Sequence, residues 1–182
     1  VAVTSGCNQA FCASISSFTG ENDEVIIPTP WYFNHHMWLQ MAGVKSIPLD
    51  TDANMNPIIE KAEALITDRT RAIVLVSPNN PSGAIYSNQL LQKFFDLCKS
   101  NQIRLIIDET YKDFHPNASQ PHTLLENNNW EQVLTILYSF SKTYRMTGHR
   151  IGALLTSKEN LIEIEKALDT FTVCPPQLGQ YA

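Results

Sequence analysis

The segment YSFSKTYRMTGHRIG, residues 138–152, places Lys142 just after Ser139 and Ser141, at the end of an apolar run (VLTILYSF) that reads as a buried strand. A surface lysine needs no such setting, whereas a lysine that must form a covalent bond does. Arg150 follows eight residues later, close to Gly152, and its planar fork suits a bidentate phosphate contact. Asp108-Glu109 closes a second apolar run, where a carboxylate is costly unless paired. Tyr111, three residues on, can present a hydroxyl at the same edge. In SPNNPSG, Pro78 and Pro81 stiffen the loop around Asn79 and Asn80. Near the start, TSGCNQA puts small residues before a helix, so free backbone N–H groups face outward at the positive end of a helix dipole, an anion site. Taken singly, these segments also read as a turn, a capped aspartate and an ordinary strand-to-helix connection.

The elements that must position these groups alternate. β-branched runs recur at Glu24–Pro28, Val44–Leu49, Arg71–Val76, Ile103–Asp108 and Val133–Tyr138, with further strands expected at Val1–Val3 and Ile151–Thr156. Helix-period segments lie between them. Asn8–Phe18 is capped by Thr4-Ser5 and closed by Gly20, and Phe33–Ala42 is closed by Gly43. Pro57–Ile66 opens on proline at the first helical position, Asn88–Ser100 follows Ser87, and Lys158–Thr170 follows Ser157. The alternation predicts one α/β domain over residues 1–182: three αβα layers around a mostly parallel sheet of about seven strands. The short link after Tyr138 is tight for a parallel crossover, so the last strand is expected to run antiparallel. Ligands of such sheets bind beyond the carboxyl ends of the strands, where all the segments above fall.

Composition narrows the function classes. The formal net charge of −5 leaves no basic footprint for nucleic acid. No apolar stretch reaches membrane-spanning length. Cys7, Cys12, Cys98 and Cys174 form no CxxC pair, and His35 and His36 are adjacent and diverge on a helix, so no metal site is expected. Reduced thiols fit a cytoplasmic protein. The P-loop signature and GxGxxG are both missing, which argues against a dinucleotide-binding dehydrogenase.

One cofactor uses a lysine, an anion cup, a buried carboxylate, a phenol and an amide together: pyridoxal 5′-phosphate (PLP). The sequence also resembles the class I/II aminotransferases, PLP enzymes of fold type I, from end to end. SFSKTYRMTGHRIG is similar to that family's lysine signature, SPNNPSG to its asparagine loop, IDETYKDF to its aspartate–tyrosine strand end, and TPWYFNHHMWLQMAG to its aromatic segment. The resemblance implies that Lys142 forms the aldimine with PLP and then carries the proton between Cα and C4′. It implies that Asp108 pairs with the pyridine nitrogen, and that Tyr111 and Asn80 bond the phenolic oxygen. Tyr32 stacks on the ring with Thr110 behind it. Gly6, Cys7, Asn8, Ser139 and Arg150 hold the phosphate, with Ser141 a weaker candidate. Two positions depart from the pattern: Arg145 stands where a small residue is usual, and His149 precedes the arginine. Cys7 reads as structural.

The implied activity moves an amino group between an amino acid and a 2-oxo acid in a homodimer. Other readings keep the same scaffold: a PLP lyase or decarboxylase, or the effector domain of a transcription regulator. The chain reads as a large domain lacking the small domain and the arginine for the substrate carboxylate. Arg145 is the only spare candidate for that role.

Overall fold

The computed structural model describes residues 1–116 and 120–182. Among them the β-branched runs form one seven-stranded sheet. Its strands are β1 (Ala2–Thr4), β2 (Glu24–Pro28), β3 (Lys45–Leu49), β4 (Thr70–Val76), β5 (Arg104–Asp108), β6 (Leu134–Ser139) and β7 (Gly152–Leu155). They lie in the order β1-β7-β6-β5-β4-β2-β3. The neighbours from β6 to β3 pair parallel. β7 runs antiparallel to both β1 and β6, as the short link predicted. β1 and β6 therefore point the same way, and Gly152 pairs with Thr4 on one side and Ser139 on the other. This single antiparallel strand brings the carboxyl ends of β1, β4, β5 and β6 to one edge.

The helices are α1 (Cys7–Phe18), α2 (Phe33–Met41), α3 (Ile59–Leu65), α4 (Asn88–Ser100), α5 (Lys158–Phe171) and α6 (Gln177–Tyr181). Strand periodicity divides the core. On β4, Ala72 and Val74 pack in one cluster with Ala10 and Phe11 of α1, Leu39 of α2 and Ile164 of α5. Ile73 and Leu75 enter another with Leu91, Phe94 and Phe95 of α4. On the central strands β2, β4, β5 and β6 nearly every side chain is buried whichever face it points to, so there the sheet is covered on both sides and the runs are almost continuously apolar.

Local signals fared unevenly. Ser87 Oγ accepts from Leu90 N at 3.1 Å and Ser157 Oγ from Asn160 N at 3.0 Å, the expected caps. Gly43 ends α2 with φ 70°. The expected cap of α1 is corrected: Gly6 occupies it at φ 86°, while Thr4 Oγ1 donates to Gly6 O and Ser5 N–H donates to Gln9 Oε1. Gly20 does follow the C-cap Thr19 at C′, but without a left-handed turn: Thr19 is extended and Gly20 N–H donates to Asp23 Oδ2 at 2.8 Å. Pro57 does not open α3: it bridges Thr51, and the helix begins at Ile59. Sequence periodicity missed the short α6, whose Gly179 packs against Ile151 and His149. Among the described residues no helix is long and apolar enough to cross a membrane.

Candidate functional site

The shared strand edge opens into a cleft of about 590 Å³. The end of each strand explains its lining. β5 terminates in Asp108, which is 3% exposed. Its Oδ1 accepts from Thr110 N at 2.9 Å, so the chain turns directly at the carboxylate. Oδ2 lies 3.2 Å from Nε2 of His35, a close approach that falls short of hydrogen-bond alignment. Burial pushes the Asp108 carboxyl up, but the contacts with His35 and Thr110 outweigh it and hold the group below the ordinary carboxylate value. An anion is thereby kept at the floor of an apolar sheet.

Its neighbour Glu109 is committed elsewhere. Glu109 Oε1 lies 2.7 Å from Nε2 of buried His122, whose Nδ1 accepts the Leu124 N–H at 3.3 Å. With Nδ1 acting as acceptor, the ring proton sits on Nε2 and is donated to Glu109. Only one of the two consecutive carboxylates faces the cleft.

The loop after β4 is built by Asn79 and displays Asn80. Asn79 Oδ1 accepts from Ser82 N and Oγ at 3.1 and 2.7 Å, and Asn79 N donates to Ala84 O at 2.7 Å. Asn80 is left free to line the cleft, with Nδ2 at 3.5 Å from Tyr111 Oη. Tyr111 lines the same wall, and Lys142 Nζ lies 6.0 Å from the centre of its ring. Lys142 is exposed to the cleft, as a reactive amine must be.

An anion cup closes the other end. The first-turn N–H groups of Cys7 and Asn8 have no intrahelical acceptor. Gly6 differs from expectation: its N–H is bonded to Thr4 O at 2.8 Å and is not free. Gly6 instead supplies room. A Cβ there would run into Nη2 of Arg150 and come within 2.8 Å of its Cζ. Arg150 Nη1 donates to Thr147 O at 2.9 Å and Ser141 Oγ at 3.3 Å, which aims the guanidinium over that gap. Ser141, ranked weaker than Ser139 on sequence, stands beside it in the lining. Buried Cys7 is pushed far up in pKa by desolvation and by Asp108, so its thiol stays protonated and is no nucleophile. Among the described residues no group of side chains is placed to hold a metal, and the four cysteines are free.

Every expected site residue except Gly6 lines the cleft; Arg145, exposed and left-handed at φ 57°, does not. Sequence reasoning missed His35, weighed there only as a metal ligand. Its ring stacks on Phe11 at 4.0 Å and meets Tyr32 edge-on at 5.1 Å. The available signal was its position one helical turn after Tyr32. Phe33 and Thr147 also line the cleft unforeseen.

The family model described as aminotransferase class I and II matches residues 1–182. The chain belongs to the class I and II aminotransferases. Among curated relatives of this aminotransferase-family chain, an aspartate aminotransferase of Thermotoga maritima is 29% identical over the whole chain and 48% of its own length. An aromatic aminotransferase of Arabidopsis thaliana is 31% identical over 99% of the chain and 46% of its own length. The crystal structure of an aromatic aminotransferase from Pyrococcus horikoshii superposes with TM-score 0.91 at 28% identity, covering 98% of this chain and 48% of that one. The chain thus spans about half the length of the curated relatives it matches. The class I and II aminotransferases use PLP. The cleft suits that group by the Gly6 cradle under Arg150, by an ionised carboxylate at the floor, and by an exposed amine on the rim.

Proposed function

We propose that the protein carrying this chain is a PLP-dependent aminotransferase, moving an amino group between an amino acid and a 2-oxo acid, with Lys142 as the residue that bonds the cofactor. The observation that carries the reading is the convergence of Lys142, Asp108 and the Gly6–Arg150 cup on one cleft. When bound, PLP supplies the electron sink that lets a substrate lose its Cα proton. Lys142 Nζ would have two tasks there: to hold the cofactor and to carry the proton at the substrate's Cα. Asp108 holds a proton on the ring nitrogen, a task that needs its carboxylate to stay ionised. Asn80 Nδ2 and Tyr111 Oη donate to the phenolic oxygen. Tyr32 and Thr110 would flank the ring, and Cys7, Asn8, Ser139, Ser141 and Arg150, all lining the same cleft, would hold the phosphate.

The reading includes a homodimer of the intact protein, supported by the exposed Phe33, Met37 and Met41 spaced along one side of α2; light scattering tests it. The decisive experiment for the site is borohydride reduction of the PLP-loaded protein followed by peptide mapping. The pyridoxyl mass is expected on the Lys142 peptide, and a label on Lys112 or Lys158 overturns the assignment. Incubation with amino acids and 2-oxoglutarate then separates amino-group exchange from the release of carbon dioxide or an olefin, which marks a decarboxylase or lyase on the same scaffold.

A further inference from the structure

The short 3-10 turn Lys112–Phe114 follows Tyr111 immediately. Its central residue, Asp113, reaches across to the segment that carries Lys142. Asp113 Oδ2 accepts from Tyr138 Oη and, at 3.0 Å, from Thr143 Oγ1. Asp113 Oδ1 accepts from Lys112 Nζ at 3.1 Å, and that ammonium also lies 5.2 Å from the centre of the Tyr138 ring. The two hydroxyls bracket the lysine segment. Tyr138 belongs to β6 and is already fixed by the ladder, whereas Thr143 lies beyond the strand, directly after Lys142. On the far side Lys142 O accepts from Arg145 N at 3.2 Å, closing a turn.

Among the described residues Lys142 Nζ makes no hydrogen bond of its own, and the Tyr111 ring lies 6.0 Å from it. The amine therefore takes its position from its backbone, which is tied on both sides: before it Ser141 N donates to Ser139 Oγ at 3.2 Å and Ser141 Oγ accepts from Arg150, and after it Thr143 donates to Asp113, the one tie that leads to the Tyr111 wall. Asp113 sits two residues after Tyr111, so one carboxylate links the wall bearing the phenol to the loop bearing the amine. Burial pushes the Asp113 carboxyl up, but Tyr138, Lys112 and Thr143 outweigh it and hold it below the ordinary value, so the acceptor is ionised at neutral pH. Charge-assisted bonds of this kind are stronger and geometrically stricter than neutral ones.

We infer that Asp113 is a positioning residue for Lys142, fixing the amine relative to Tyr111 so that it meets the cofactor's aldehyde in a reactive pose. The inference rests on Lys142 being the lysine that bonds PLP. The test is the rate at which the intact apo-protein captures added PLP on the Lys142 peptide, read by borohydride quenching and mass spectrometry, with the folded fraction of each variant measured by circular dichroism. D113A is expected to capture PLP on Lys142 about tenfold or more slowly at equal folded fraction, the scale on which a small displacement of a reacting group acts. D113N keeps an acceptor oxygen where both hydroxyls converge and is expected to recover most of the rate. T143V removes only the tie next to the lysine and is expected to slow capture while Y138F leaves it less changed. Should D113A fail to fold, T143V carries the test, since Asp113 stays in place. Wild-type capture rates in both D113A and T143V, or in T143V alone where D113A is unfolded, overturn the inference and leave Lys142 as the cofactor lysine. Capture on a different lysine in the wild type overturns the parent reading together with this one.

Discussion

His35 Nε2 lies 3.2 Å from Asp108 Oδ2, with both side chains buried. Since the folded carboxyl of Asp108 is held below its unfolded value, it contributes stability that is present above the unfolded pKa and lost as pH falls through the folded one. His35→Phe keeps a ring to stack on Phe11 and removes the nitrogen. The buried carboxylate then loses a compensating partner, a cost of about 1–3 kcal/mol. The loss should be largest near neutral pH and shrink as acid protonates Asp108 in both proteins. Urea unfolding of wild type and variant from pH 7 down to acid checks this, and an unchanged difference across the range rejects the coupling.

Arg150 occupies the space that a side chain at Gly6 would fill. Gly6→Ala should push the guanidinium out of the cup, on top of the strain of an L residue at φ 86°. Arg150→Lys keeps the charge but loses the fork. Either change should weaken PLP binding by roughly 10- to 100-fold, in line with losing a charge-assisted bond of about 1.5–3 kcal/mol. Pyridoxal, which has no phosphate, is the control. Equal losses for PLP and pyridoxal by fluorescence titration mean that the cup does not hold phosphate.

The sheet was legible because β2, β4, β5 and β6 are apolar runs rich in β-branched residues and closed by turn chemistry, and the antiparallel β7 because too few residues separate it from β6. Site residues at strand ends, Asp108, Asn80, Ser139 and Lys142, were legible because that edge is fixed by topology alone. What escaped depended on tertiary contact. His35 becomes a partner of Asp108 only when α2 docks on the sheet, and its place one helical turn after Tyr32 is all that sets it apart locally from His36, which instead stacks on Trp31 and bonds Ser46. Gly6 looked like an N–H donor, but the turn back to Thr4 takes that N–H, a detail set by the loop's own closure. Pro57 carried the propensity of a first helical residue and lost to a bridge with Thr51.

Asp108→Asn should leave PLP bound and remove most transamination by the intact protein. The amide nearly matches the carboxylate in shape, so the cleft survives, but it cannot hold a proton on the ring nitrogen by charge. Losing the charge-assisted bond alone costs about 1.5–3 kcal/mol, before the weaker electron sink is counted. The cofactor's absorbance reports binding and a coupled assay reports turnover. Wild-type turnover in the variant would show that Asp108 is not the ring-nitrogen partner.

Gly152 and Gly148 give the sharpest contrast, because they lie four residues apart and differ in what surrounds them. A Cβ on Gly152 would stand 2.6 Å from Gly6 C, 2.7 Å from Cys7 N and 2.9 Å from Tyr138 O, all backbone atoms that cannot rotate away. These atoms belong to the anion loop and to β6, so relief must come from moving β7 away from the cup. Gly148 has nothing within 4 Å of the same position. Gly152→Ala should therefore destabilise the fold by about 1–3 kcal/mol, the usual cost of overpacking, and weaken phosphate binding at the same time. Gly148→Ala should stay within about 0.5 kcal/mol of wild type, as surface substitutions do. Chemical denaturation and inorganic phosphate titration of both variants make the comparison. If Gly152→Ala is as stable as Gly148→Ala and binds phosphate equally well, the close approach of β7 to the Gly6–Cys7 peptide is not what shapes the cup.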